Sequence, residues 1–171
     1  EDAACALEFV HSASLIYDDI MDKSDTRRGQ PACHIKFGEN SALMGVIYLL
    51  QLSFRLINSI PYQNKRFVDA QSKILRNMVD GQCMDIHKKV KDGETVVLAH
   101  QKKSGYIFRA AGEIGAVMAG SDGLIVDCMQ NYAEAFGIAY QINDDIADAV
   151  GDSEVIGKPT GQDEKRGIYT S

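Results

Sequence analysis

Two short acidic runs constrain this chain more than any other feature. "SLIYDDIMD" (Ser14–Asp22) and "YQINDDIAD" (Tyr140–Asp148) each end an apolar approach in the pattern D-D-x-x-D. On a helix, Asp18 and Asp22 share one face with Asp19 about 100° around, and Asp144, Asp148 and Asp145 repeat that geometry. Like charges four residues apart cost a helix a few tenths of a kcal/mol. A solvated acidic face would explain one such run. Here there are two, each trailed by cations: Arg27 and Arg28 after the first, Lys158 after the second. That recurrence points to chemistry rather than to surface charge.

The rest of the sequence is patterned for helices. Apolar residues recur at helical spacing almost throughout, without a persuasive alternating β-branched run, so the expected fold class is all-α. Helices are expected over 2–22, 41–59, 64–88 and 121–150, and as two pieces within 95–119 meeting near Ser104–Gly105. Phe67, Ile74 and Met78, with Val68, Leu75 and Val79, mark the apolar stripe of the third. Gly29 and Pro31 break the first helix, 91–94 reads as a turn, and 151–171 lacks periodicity and reads as loop. The most apolar stretch, 41–59, is interrupted by Gln51, Ser53 and Arg55 and falls short of the ~20 apolar residues of a membrane span. It is expected in a core or an oligomer interface, and no transmembrane segment is expected.

A length of 171 residues suits one domain with a real core, and a net charge of −6 argues against nucleic acid as a partner. A small phosphorylated ligand remains compatible, because a few local cations dominate such a site. Cys5, Cys33, Cys83 and Cys128 form no C-x-x-C pair and have no histidine at zinc-ligand spacing, which suggests reduced, mostly buried thiols of a cytosolic-type protein. The N-terminal residues lack the basic start of a signal peptide. His11 is expected in the core or just behind the acidic site, His34 in a loop, and His87 and His100 at the surface.

Oxygen-only donor sets suit hard cations, Mg²⁺ first among them, which binds through one or two carboxylates plus substrate phosphates. Two facing triads could hold a diphosphate between metals. Their six aspartates carry a charge that three Mg²⁺ would cancel, leaving the cations to meet the diphosphate. No Ser/His/Asp or Cys/His arrangement suggests a protein nucleophile.

"EFVHSASLIYDDIMDKSDTRRGQPACH" and "YQINDDIADAVGDSEVIGKPTGQD" resemble the first and second aspartate-rich motifs of the trans-isoprenyl diphosphate synthases, or polyprenyl synthetases. Between them, "GQCMD" (Gly81–Asp85) and "KKSGYIFRAAGEIGAVMAG" (Lys102–Gly120) are similar to two further signatures in the right order. The resemblance implies an isoprenoid-synthase-type helical bundle around a central cavity. It also implies a reaction joining an allylic diphosphate to isopentenyl diphosphate. Asp18, Asp19 and Asp22, with Asp144, Asp145 and Asp148, are implied to hold Mg²⁺, three ions per site. Arg27 would meet the allylic diphosphate and Arg28 the isopentenyl diphosphate. Lys103 and Lys158 would sit on the leaving diphosphate, and Ser104 and Gln141 beside the developing cation. Gln82 and Asp85 match the middle motif, and Lys102 rivals Lys103 for register.

The small residues Ala13 and Ser14 before the first acids imply an open tunnel and a product of C20 or longer. The family is longer than this chain, so the sequence is expected to be the central part of a single all-α domain. A homodimer is implied, and a cytoplasmic location is expected, or an organellar one if a transit peptide precedes these residues. Tyr17, Val46 and Ile168 depart from the family's usual His, Asp and Lys, which touches substrate contacts rather than the triads. Two other readings stand beside the synthase: a non-catalytic regulatory subunit, which usually loses acids from one triad, and a class I terpene cyclase, whose second motif usually mixes Asn/Asp, Ser/Thr and Glu.

Overall fold

Helices account for nearly all the regular structure in the computed structural model, which describes residues 1–61, 64–87, 90 and 92–150. In chain order these are α1 (Asp2–Met21), a small hairpin of β1 (Thr26–Arg27) and β2 (Gln30–Pro31), α2 (Cys33–Phe37), α3 (Glu39–Ser59), α4 (Asn64–Ile86), α5 (Gly93–His100), a π-helical turn (Gln101–Gly105), α6 (Tyr106–Met118) and α7 (Gly123–Val150). The chain divides into two compact units, Glu1–Val68 and Asp69–Ser171, with the division falling inside α4.

In the first unit α1 lies along α3. Ala3, Ala6, Val10 and Ala13 form the buried stripe of α1, at the spacing of one helical face. Small residues let the helices approach closely, and Ser53 Oγ donates to the Ala6 carbonyl at 2.6 Å in the buried seam. Cys5 lies off this stripe and is exposed. Cys83 and Cys128 are exposed too and Cys33 is partly so, which corrects the expectation of buried thiols; all four are free.

α3, expected in a core or an oligomer interface, is only partly buried within the chain. Ala42, Ser53 and Ile57 are its buried residues, while Met44, Ile47 and Tyr48 are exposed. By length and composition it is apolar enough to cross a membrane, a weak indication on its own and contrary to the sequence expectation. Its buried seam is polar at Ser53, which suits packing on another helix.

In the second unit α5, the π-turn and α6 follow one another and pack on α7. Asp92 starts α5 through a capping box: its Oδ1 accepts from Thr95 N–H at 2.8 Å, and its own N–H donates to Thr95 Oγ1 at 3.1 Å. Asp122 caps α7 by accepting from Ile125 N–H at 2.9 Å. α6 ends in a Schellman motif, with Ser121 N–H bonded to the Ala116 carbonyl at 3.1 Å and Gly120 at φ 72°, the left-handed position that glycine takes without strain.

α6 and α7 meet so closely that a Cβ on Gly112 would stand 2.6 Å from the Met129 carbonyl oxygen, and one on Gly137 would stand 2.7 Å from Phe108 Cδ2. Arg109 crosses this seam, donating to Glu134 at 2.6 Å, Gln130 at 2.7 Å and Asn131 at 3.0 Å. On α4, Phe67 and Ile74 are fully buried as expected, but the stripe continues through Ala70 and Gln71 while Val79 is exposed. The expected loop 151–171 lies outside the described residues.

Candidate functional site

The first acidic run closes α1, and its end is built to bring a guanidinium back over the helix. Ser24 N–H donates to the Asp19 carbonyl at 2.9 Å and Lys23 N–H to that of Ile20 at 3.3 Å, a Schellman-type ending. Lys23 occupies the left-handed position at φ 52°, where glycine is usual. The hairpin follows, Thr26 pairing with Pro31 and Arg27 with Gln30. That register leaves Arg28 and Gly29 as a two-residue turn with φ 51° and 72°, the positive pair of a type I′ connection. A left-handed conformation costs a non-glycine residue about 1–2 kcal/mol, and such strain concentrates at functional positions.

The hairpin delivers Arg27 to Asp19. Arg27 Nη2 donates to Oδ1 at 2.6 Å, and Nε to Oδ1 at 3.1 Å and Oδ2 at 3.3 Å. Asp19 is 2% exposed, whereas the Arg27 side chain is 43% exposed. The hydrogen bond to Asp19 raises the Arg27 pKa against the cost of burial, and the charges of Asp19, Asp18 and Asp22 add to it. The triad is not uniform: Asp19 is buried and seats Arg27, while Asp18 and Asp22, one turn apart, are partly exposed. Arg28 is exposed at the turn.

The second acidic run belongs to α7 and is tied to the π-turn. Ser104 Oγ donates to Gln141 Oε1 at 2.9 Å, and Gln141 Nε2 donates to Asp145 Oδ1 at 3.3 Å. The other Asp145 oxygen, Oδ2, lies 3.0 Å from His100 Nε2. Asp145 and Asp148 are buried and Asp144 is partly so. His100 is buried as well, a correction to its expected surface position: it continues the buried face of α5 begun by Val96 and Ala99. That three-and-four spacing is the signal by which the sequence could have placed it inside.

The π-turn separates the two candidate lysines. Lys102 Nζ pairs with exposed Asp80 at 3.1 Å. Lys103 passes so close to α4 that a Cβ on Gly81 would stand 2.7 Å from its Cγ and 3.0 Å from its backbone nitrogen. Gly81 of the middle motif thus has a steric reason, and Gln82 beside it is buried. π-turns recur at functional sites because the inserted residue re-aims neighbouring side chains. The Asp85 side chain and all of Lys158 lie outside the described residues.

Among the described residues no three His, Cys, Asp or Glu side chains already converge as a metal cage. The donors present nevertheless fit a hard cation, being carboxylates without histidine or thiolate, and Mg²⁺ needs only one or two of them beside phosphate oxygens. Asp18, Asp22 and Asp144 are the partly exposed members of the two runs.

The sequence profile of the polyprenyl synthetases matches residues 1–171. The chain belongs to the polyprenyl synthetase family. It is 35% identical to a geranylgeranyl diphosphate synthase of Methanosarcina mazei, covering 98% of this chain and 54% of that protein. It is 36% identical to a farnesyl diphosphate synthase of Escherichia coli, covering 98% and 60%. Among solved structures, a polyprenyl synthase of Caulobacter crescentus complexed with calcium and isoprenyl diphosphate superposes with a TM-score of 0.89 at 29% identity, covering 99% of this chain and 52% of that one. The fold is therefore the all-α isoprenoid synthase fold, as the motifs implied. The chain spans about half the length of the curated relatives it matches.

Proposed function

We propose that this polyprenyl synthetase chain serves a trans-prenyltransferase that joins an allylic diphosphate to isopentenyl diphosphate. The observation that carries the reading is the completeness of both acidic runs, each with its second aspartate already seated on a basic side chain, Arg27 in one and His100 in the other. A regulatory subunit would be expected to have lost acids from one run, and the D-D-x-x-D form of the second run disfavours a cyclase. The calcium and isoprenyl diphosphate of the Caulobacter relative support the choice of ligands.

In this reading Asp18, Asp22, Asp144 and Asp148 would hold Mg²⁺, which would supply Lewis acidity to the leaving diphosphate. Arg27, oriented by Asp19, binds the allylic diphosphate with its planar fork, Arg28 binds isopentenyl diphosphate, and Lys103 and Lys158 neutralise the departing diphosphate. Ser104 and Gln141 place oxygen dipoles beside the developing allylic cation. The isopentenyl double bond attacks that cation, and the proton then lost goes to the released diphosphate. The product is C20 or longer, as the small Ala13 and Ser14 favour. The protein acts as a cytoplasmic homodimer, for which the exposed Met44, Ile47 and Tyr48 of α3 offer an apolar surface.

The test is incubation of the complete protein with Mg²⁺, isopentenyl diphosphate and each of three allylic primers, followed by chain-length analysis. Elongated diphosphates support the reading; cyclised hydrocarbon, or no turnover with any primer, overturns it.

A further inference from the structure

The reaction proposed above uses no histidine, yet His100 is built into the unit that carries the second acidic run. Its side chain is 9% exposed, that of Asp145 is 5% exposed, and 3.0 Å separates Nε2 from Oδ2. The same carboxylate accepts through Oδ1 from Gln141 Nε2, and Gln141 accepts from Ser104 Oγ. His100 immediately precedes the π-turn and Ser104 is its fourth residue. The two therefore grip one side of α7 from either end of the turn, through Asp145 and Gln141, themselves one helical turn apart. A leucine at position 100 would fill the stripe begun by Val96 and Ala99 without the cost of burying an imidazole. Burying a hydrogen-bonding group is worthwhile where its partner needs it, and a buried carboxylate does.

We infer that His100 is a positioning residue for the second acidic run. By donating Nε2–H to Asp145 it fixes that carboxylate and, through it, the rotation of α7 that presents Asp144 and Asp148 to the metal-diphosphate group. Asp145 then acts as a bracket, as Asp19 does for Arg27. The inference rests on the prenyltransferase reading and adds to it a residue outside the acidic runs. Groups that orient a metal-binding carboxylate typically change metal affinity ~10–100-fold when removed.

The experiment measures Mg²⁺ binding by calorimetry, in the presence of inorganic pyrophosphate, for the complete protein and for its His100→Ala and His100→Gln variants. The KM for isopentenyl diphosphate is measured alongside. His100→Ala is expected to weaken Mg²⁺ binding ~10–100-fold while that KM stays unchanged. His100→Gln, whose Nε2 can still donate to Asp145, is expected to recover most of the loss. Unaltered Mg²⁺ binding in His100→Ala overturns the inference and leaves the prenyltransferase reading standing. Equal loss in both variants reduces His100 to core packing and likewise overturns it. Absence of Mg²⁺-pyrophosphate binding by the unsubstituted protein overturns both. A measurement on the unsubstituted protein covers the case of variants that do not fold: the imidazole ¹⁵N shifts should show Nε2 of His100 carrying a proton, and an unprotonated Nε2 sinks the inference.

Discussion

Arg27 closes on Asp19 through three contacts of 2.6–3.3 Å, from the first strand of a hairpin whose turn holds Arg28 in the left-handed region. This arrangement ties the middle aspartate of the first run to the first of the two arginines that follow it. The spacing of eight residues between partners is what the helix end and the hairpin consume. Removing Arg27 leaves a buried carboxylate without its cation. Arg27→Ala should lower unfolding free energy by about 1–2 kcal/mol, less than for a fully buried pair because water screens the half-exposed guanidinium. Arg27→Lys should keep part of that stability but not the fork, so elongation should fall at least ~10-fold in both. Denaturant titration and a turnover assay check the two effects separately.

Lys23 provides a test of the strain at the same helix end. Its backbone sits at φ 52° with the side chain exposed, so Lys23→Gly relieves a left-handed penalty and adds back some unfolded-chain entropy. The net gain should be about 0.5–1 kcal/mol, read as a higher denaturation midpoint. A lower midpoint would show that the φ is not strained.

Two glycines of α6 should respond with opposite signs. Gly112→Ala places a methyl 2.6 Å from the Met129 carbonyl and 2.9 Å from Ala133 Cβ, and overpacking of that kind costs about 1–3 kcal/mol. Gly115 has nothing within 4 Å of such a methyl, so Gly115→Ala should stabilise by about 0.8–1 kcal/mol through helix propensity. Thermal melts of the pair decide it.

Asp92 makes the α5 cap sensitive to acid. Hydrogen bonds from the Thr95 backbone and hydroxyl, the backbone first, hold its pKa below the ordinary 3.8. A depressed folded value means the cap contributes its full stability above the unfolded pKa and loses it as pH falls through the folded one. Asp92→Ala should therefore destabilise the protein at neutral pH, with the difference fading in strong acid. A difference that persists below the folded pKa would contradict the assignment.

Ala13 tests the product-length proposal. It is 1% exposed on the buried stripe of α1, while Ser14 beside it is partly exposed with Oγ bonded to the His11 carbonyl at 2.8 Å. A ring at position 13 must displace the residues packed against it. Ala13→Phe and Ser14→Phe should shorten the product, measured by chromatography of the dephosphorylated alcohols. An unchanged distribution in both removes these residues from chain-length control.

The helices were readable because each buries one face, and the burial of Phe67 and Ile74 follows from periodicity; the stripe Ala3–Ala6–Val10–Ala13 of α1 is mostly alanine, which apolar periodicity does not mark. The hairpin was not, because two-residue strands lack any alternating pattern, and the "RG" of its turn is a weaker signal than Asn-Gly. The π-turn showed only as a discontinuity near Ser104–Gly105. It widens the backbone rather than breaking it, and the residues Gln101–Gly105 carry no marker for that. The two acidic runs were legible in the sequence, but the pairing of Asp19 with Arg27 and of Asp145 with His100 was not. Those partners come from other segments, Arg27 from a hairpin and His100 from another helix, which periodicity within a run does not reveal.

The central claim is that both acidic runs act on one diphosphate through shared divalent ions. A crystal structure of the complete protein with Mg²⁺ and an unreactive allylic diphosphate analogue tests it most directly. The account predicts Mg²⁺ ions bridging the analogue's phosphate oxygens to Asp18 or Asp22 on one side and Asp144 on the other, with Arg27 on the same diphosphate. A diphosphate bound elsewhere, or ions reaching only one of the two runs, would contradict it.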